Sequence, residues 1–456
     1  MRKVMNSKTL TVKEVNRNIF RMMIPITLEG LLQTTAGFIS SAMIGRLDKV
    51  ALSSQLLGVR ISMIIWALCR GLSMGAAVLV SQAYGAKKTE QMREIIWQLL
   101  LSSFLFTLTL SSITTIFAPQ LIGILSDRPE IISNGSLYLR IAIWGMPFFG
   151  LMIVTNAVLQ SMSNARVPMM LTTGMNIINI IAGYTLIFGN FGFPRLGIIG
   201  AALGTMTAYT LSGIFAVTYL VRKNGVLEGY FHLKMVKLKK DLLKKIYGLG
   251  IPASFESVSW SVASVILSFI LLKMGDTVYA AHNLGVTAES VSYTPAFGFS
   301  IVSAAFIGQS LGSKNPENAR LYFRQTIKGS IILTSFSVFI LLVFPAFIMS
   351  LLTDKADVIE YGVIYLILMA LVQIPQNLTG VIFGALRGAG FVKTTMFVAT
   401  SGLWGVRVVS CFIAYYFFDA SIIAIWIIMD LDLVYRFLLS LYFFKKRRIY
   451  DQKALV

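Results

Sequence analysis

The sequence predicts an all-α, polytopic membrane protein of twelve transmembrane helices in two pseudo-symmetric six-helix lobes. The first observation behind this is composition. Hydrophobic residues make up 56% of the 456 positions and charged residues 13%, with a mean hydropathy of +0.75, which is far too apolar for a soluble chain of this length. The second is patterning: apolar runs of about 20 residues or more, enough to cross the hydrocarbon core as a helix, recur between short charged or Gly/Pro/Asn stretches. The third is repetition. GLSMGAAVLVSQAYGAKKTE from Gly71 and GFSIVSAAFIGQSLGSKNPE from Gly298 agree at seven of twenty positions and stand 227 residues apart.

In chain order the runs centre on residues 19–44, 50–80, 93–118, 134–160, 167–189, 197–221, 248–272, 277–308, 324–350, 358–385, 394–418 and 420–444. The ten-residue alternation of a β-barrel is absent. The offset of 227 also brings QLLGV from Gln55 onto HNLGV from His282, Pro25 onto Pro252, Glu29 onto Glu256 and Met169 onto Met396. One ungapped shift from the first run to the fifth marks two copies of a six-helix unit. An even number of spans gives both copies the same orientation, as in transporters built from parallel repeats.

The expected layout is an N-terminal tail (1–18), an N-lobe (19–221), a basic linker (222–245) holding a short amphipathic helix, a C-lobe (246–444) and a basic tail (445–456). The net charge of +20 falls in alternate connections: Arg2, Lys3, Lys8, Lys13 and Arg17; Lys87 and Lys88; Arg222 through Lys245; Lys314, Arg320 and Arg324; and KKRR from Lys445. The intervening loops, SDRPE and TDKADVIE, are poor in positive charge. By the positive-inside rule both termini are cytoplasmic and the protein lies in the cell membrane. The charge is thereby a topology signal, and no nucleic-acid partner is expected. The polar first eighteen residues do not read as a cleavable signal. Cys69 and Cys411 fall inside spans and read as packing residues, not as a disulfide or metal framework. Gly71, Gly75, Gly85, Gly298, Gly308 and Gly312 are expected to let helices approach closely.

MIGRLD from Met43, VLVSQAYGAKK from Val78, AAHNLGV from Ala280, IGQSLGSKNPENA from Ile307 and ALRGAG from Ala385 resemble segments of the multidrug and toxic compound extrusion (MATE) family, in the same order and at similar spacing. The resemblance implies a twelve-helix, two-lobed antiporter that uses Na+ or H+ to expel amphiphilic, often cationic compounds, with no cofactor and no enzymatic activity. It also marks what is missing. Where one branch of the family carries Asp residues in the first and fifth helices, this chain has Ser40 and Gly183. Where another has a Glu in the seventh helix and an Asp in the tenth, it has Trp260 and Gln376. The neutral residues that do match, Asn156 and Asn179, can offer oxygens or hydrogen bonds to a polar cleft shared with Gln376 and Ser40.

An ionisable group at a helix centre costs roughly 2.5–3.5 kcal/mol on insertion scales, so each intramembrane acid is a functional candidate. Glu29 and Glu256 each follow a proline by four residues, about 6 Å along the helix, beside a carbonyl that the proline leaves unpaired. Either can serve ion coupling or simply bind Ser, Thr or Asn of a neighbouring helix. Glu289 is the stronger coupling candidate, because its counterpart in the other copy is Ser62; its spacing to Pro295 predicts a kinked or broken eighth helix. Arg436 is expected to pair with Asp432, Arg407 with Asp430, and Arg60 or Arg140 to approach Glu289. His282 is expected to bond at a helix end, and His232 lies in the linker. Trp260 and Tyr293 are the chosen substrate contacts, offering stacking and cation–π surfaces to flat cations. The protein is expected to act as a monomer on a small amphiphilic substrate in the lipid bilayer. A flippase for lipid-linked glycan precursors is the alternative, kept open by Arg60, Arg70 and Arg140. No intramembrane-protease or metalloenzyme motif occurs.

Overall fold

The computed structural model describes residues 9–230 and 238–456. Arg2, Lys3, Lys8, His232 and the middle of the expected linker helix lie outside the described residues. Residues 222–230 form turns, and the chain re-enters a helix at Lys240.

Twelve long helices account for most of the described chain: α1 (Val12–Gly45), α2 (Lys49–Gly85), α3 (Thr89–Ile116), α4 (Pro129–Ser161), α5 (Arg166–Phe188), α6 (Ile198–Val221), α7 (Lys240–Met274), α8 (Asp276–Gly312), α9 (Pro316–Val343), α10 (Ala356–Gly388), α11 (Val392–Phe418) and α12 (Ile422–Lys446). Helices satisfy their own backbone, which is why an apolar chain in lipid forms them. Eleven, α1 to α11, are both long and apolar enough to span a membrane. The twelfth is long enough, 25 residues or about 37 Å, but carries Asp430, Asp432 and Arg436 at its centre. Asp432 and Arg436 are ion-paired within the fold, as described below.

Over the second to fourth helices of each copy the repeat is accurate to the residue. Adding 227 to the bounds of α2, α3 and α4 returns those of α8, α9 and α10, and the six-residue helix Ala118–Gly123 becomes Pro345–Ser350. Even the left-handed residues that close α2 and α8 correspond, Lys87 at φ 58° and Lys314 at φ 55°. Two expectations are corrected. First, α8 runs unbroken through Pro295; one lost backbone hydrogen bond does not end a helix held by packing along its whole length. Second, the predicted ninth run, 324–350, is interrupted at Phe344, where Pro345 starts a separate short helix as a residue suited to a first helical turn.

The helices gather into two compact units. One holds the described residues up to Thr27, Ser81–Lys87 and Phe255–Val456; the other holds Leu28–Val80 and the described residues of Lys88–Ser254. The core of the first is built on Leu271, Tyr365, Leu366, Met369 and Trp426, and that of the second on Ile65, Leu139, Phe149 and Met175. In the first unit α8 and α10 form the most extensive helix pair. The end of α2 joins that unit through a reciprocal glycine contact: a Cβ on Gly85 would strike the carbonyl of Gln309, and one on Gly312 would strike the carbonyl of Gln82. Gln82 and Gln309 are themselves a repeat pair, so the two copies of this motif pack against each other. Gly85→Ala is therefore expected to cost about 1–3 kcal/mol through overpacking. Thermal unfolding of the purified protein checks this, and an unchanged midpoint would mean the backbones can separate freely.

Candidate ion-coupling site

Glu289 occupies the most enclosed position of the intramembrane glutamates, 5% exposed. It faces α10. Tyr365 donates its hydroxyl to Oε2 at 2.8 Å, and Gln373 donates Nε2 to Oε1 at 2.8 Å. The same amide nitrogen lies 3.2 Å from Oε1 of Gln376, and Ser292 donates to Oε1 of Gln373 at 2.9 Å. Residues spaced by three or four, and hence by seven, eight or eleven, lie on one side of a helix, so His282, Glu289 and Ser292 of α8 line up opposite Tyr365, Gln373 and Gln376 of α10. His282 and Trp426 both stand edge-on to the Tyr365 ring at 5.3 Å between centroids. The expected approach of Arg60 or Arg140 to Glu289 is not what forms its shell. Tyr365 and Gln373 are its hydrogen-bond donors, and Arg140 donates Nε to the Thr115 carbonyl at 3.2 Å.

Two further predictions change here. His282 is no helix-end residue: it is buried on α8 with Nδ1 lacking a hydrogen-bond partner among the described residues. Arg407 pairs with Asp432 and not with Asp430, its Nε 2.8 Å from Oδ2. Asp432 also takes Arg436, as the i,i+4 spacing predicts, so one fully buried carboxylate serves two arginines. The reason lies in α11, which widens into a π-helical stretch over Ser401–Val408, and in Gly402, where a Cβ would come within 2.5 Å of both the Arg436 side chain and Asp432 Oδ1. Asp430 and Asp432 differ by about 200° around α12, so only one of them can meet that surface. Asp430 instead lies within electrostatic range of Glu289, its Oδ1 buried without a hydrogen-bond partner among the described residues.

The remaining acids have different shells. Glu29 accepts from Thr172 Oγ1 at 2.9 Å, Asn156 Nδ2 at 3.3 Å and Gln160 Nε2 at 3.2 Å. Glu256 is ion-paired, its Oε1 2.6 Å from Nη2 of Arg387. The structure thus brings Asn156 to Glu29 and Gln376 to Glu289. It leaves Asn179 bonded to Thr205 at 3.3 Å, and Ser40 eleven residues beyond Glu29 on α1, about 16 Å along the helix axis. Trp260 and Tyr293 are exposed, at 54% and 36%, with Tyr293 one turn after Glu289. Sequence reasoning missed Tyr365, Gln373, Gln160, Thr172 and Arg387, and placed Asp430 in an ion pair that Asp432 holds instead. Helical spacing of polar residues, three and seven apart on α8 and eight and three apart on α10, is the signal that points to the first two.

The MatE family model matches residues 25–185 and again 252–413, two segments that begin 227 residues apart. The chain belongs to the MatE family. Members of this family are transporters and not enzymes, and this MatE chain is an integral multi-pass membrane protein. It is 29% identical to the probable multidrug resistance protein NorM of Thermotoga maritima, over 95% of this chain and 93% of that one. It is 24% identical to the probable multidrug resistance protein YoeA of Bacillus subtilis, covering 92% of each. Its fold matches a structure described as the outward-facing conformation of a multidrug resistance MATE family transporter, with a TM-score of 0.87 at 17% identity over 98% of this chain and 100% of the other. It also matches a MOP superfamily transporter from Pyrococcus furiosus, with a TM-score of 0.86 at 18% identity over 96% and 98% of the two chains. Within this MatE frame the intramembrane carboxylates stand at Glu29, Glu256, Glu289, Asp430 and Asp432, while Ser40, Gly183, Trp260 and Gln376 occupy the positions at which the resemblance places acids.

Proposed function

We propose that the protein is a secondary antiporter that exports amphiphilic, cationic compounds in exchange for an inward-moving Na+ or H+, by alternating access, with both termini in the cytoplasm. The observation that carries the reading is Glu289: a buried carboxylate on a membrane-spanning helix, held by a phenol and an amide with no ion pair among the described residues. A carboxylate held only by hydrogen bonds from neutral groups has no fixed counter-charge and can take up and release an ion, whereas one locked to an arginine, as Glu256 is to Arg387, is already neutralised. The multidrug-resistance names of the relatives support the substrate class. Trp260 and Tyr293 supply exposed aromatic surface for it. The transporter acts as a monomer. Of the three arginines on which the flippase alternative stands, Arg140 bonds a backbone carbonyl and Arg70 stacks on Trp66 at 4.9 Å, while Arg60 is exposed.

Inverted vesicles loaded with a fluorescent cationic dye, under separately imposed Na+ and proton gradients, test the reading. Dye movement driven by one of the two gradients is expected. Equal rates with and without either gradient would rule out antiport.

A further inference from the structure

The repeat puts Glu29 and Glu256 at one position of two copies, yet their surroundings are chemically opposite. Beside Glu256, Arg387 donates Nη2 to the carboxylate at 2.6 Å and Nε to Thr395 Oγ1 at 3.3 Å, with its guanidinium 5.5 Å from the Phe383 ring centroid. Stepping back 227 residues from Arg387 gives Gln160, from Phe383 gives Asn156, and from Ala399 gives Thr172. These are the three residues that bond Glu29. One copy rings its carboxylate with two amides and a hydroxyl. The other has exchanged all three for an arginine, a phenylalanine and an alanine, and supplies the counter-charge covalently.

A second observation points the same way. Asn156 is 8% exposed, and its Oδ1 has no hydrogen-bond partner among the described residues. Its Nδ2 is shared at 3.3 Å between Glu29 and Thr172. A buried amide oxygen beside a carboxylate calls for an electrophile. No ion pair among the described residues includes Glu29; Arg70 of α2 lies within electrostatic range of it and stacks on Trp66.

We propose that Glu29, Asn156, Gln160 and Thr172 form a binding site for a hard monovalent cation, Na+, and that Arg387 is the tethered equivalent of that cation beside Glu256. The proposal rests on the antiport reading for its purpose and supplies that reading with an ion. Hard cations select oxygen ligands. Glu29 brings the negative charge and Thr172 a hydroxyl oxygen. Turning the Asn156 and Gln160 amides about their last torsion presents two carbonyl oxygens in place of the N–H groups that now face Glu29. Glu29 is only half-buried, which leaves room for water to complete the shell.

The test uses the full-length protein in lipid nanodiscs, unfolded by heat in NaCl and in choline chloride of equal concentration at one pH. Ligand that binds only the folded state raises the midpoint as its concentration grows, so Na+ is expected to raise it in a saturable way. Glu29→Gln and Gln160→Arg are both expected to abolish the rise. Gln160→Arg copies the arrangement of the other repeat, so its midpoint in choline is expected to equal or exceed that of the wild type, which separates lost binding from lost folding. Absence of a Na+ effect in the wild type, or an undiminished effect in Gln160→Arg, would overturn the site. Gradient-driven dye movement without Na+ stabilisation would refute this site while leaving antiport standing. Na+ stabilisation lost in both variants, with no dye movement under either gradient, would refute antiport and uphold the site.

Discussion

Glu289→Gln is expected to reduce gradient-driven efflux to the level of protein-free vesicles while leaving the protein folded. The substitution keeps the shape of the side chain and an oxygen to accept from Tyr365, so the α8–α10 contact retains its packing. The new amide would meet Nε2 of Gln373, donor against donor, and a rotation of the Gln373 amide removes the clash, because Ser292 can accept as readily as it donates. What cannot be recovered is the charge. An amide neither binds a proton nor balances a cation, so on the antiport reading the variant loses the part that the Glu289 charge plays in coupling. Thermal unfolding within experimental error of the wild type, together with retained dye binding, is the expected companion result. Wild-type transport rates in Glu289→Gln under an imposed gradient would remove the residue from the coupling step.

Asp432→Asn should have the largest effect on stability. Asp432 is fully buried, while Arg407 and Arg436 are each 12% exposed at the side chain. Neutralising the carboxylate leaves two arginines facing each other in an apolar helix interface. Breaking a buried pair by removing one partner costs about 3–5 kcal/mol, because the surviving charge stays desolvated. A large fall in the unfolding midpoint, or loss of monodisperse protein on extraction, is expected. Asp430→Asn is the control, two residues away and outside any ion pair among the described residues; a comparable loss there would show that general polarity of α12 matters and not the triad.

Much of the site was legible one residue at a time and illegible as a group. Glu29, Glu256 and Glu289 announce themselves because a charge in an apolar run is costly, and the repeat pairs the first two. Their fates diverge through residues over a hundred positions away: Gln160 meets one, Arg387 the other. Arg407 shows the same limit. Spacing allows it to reach either acid of α12, and a π-helical turn, which no pattern in SGLWGVRV declares, selects Asp432.

Hydrophobic run length, charge placement and the 227-residue offset determined by themselves that this chain makes twelve helices in two copies of one unit. These are local or periodic properties, and lipid leaves the backbone only helix or closed barrel, of which long unalternating apolar runs select helix. Which carboxylate is neutralised by an arginine, which is only hydrogen-bonded by a phenol and amides, and which amide oxygen is left bare were decided only in the tertiary structure. Those choices depend on how helices are rotated against one another, and rotation is set by side-chain volume at contacts such as Gly85 with Gln309 and Gly402 with Arg436, not by the sequence near the acids.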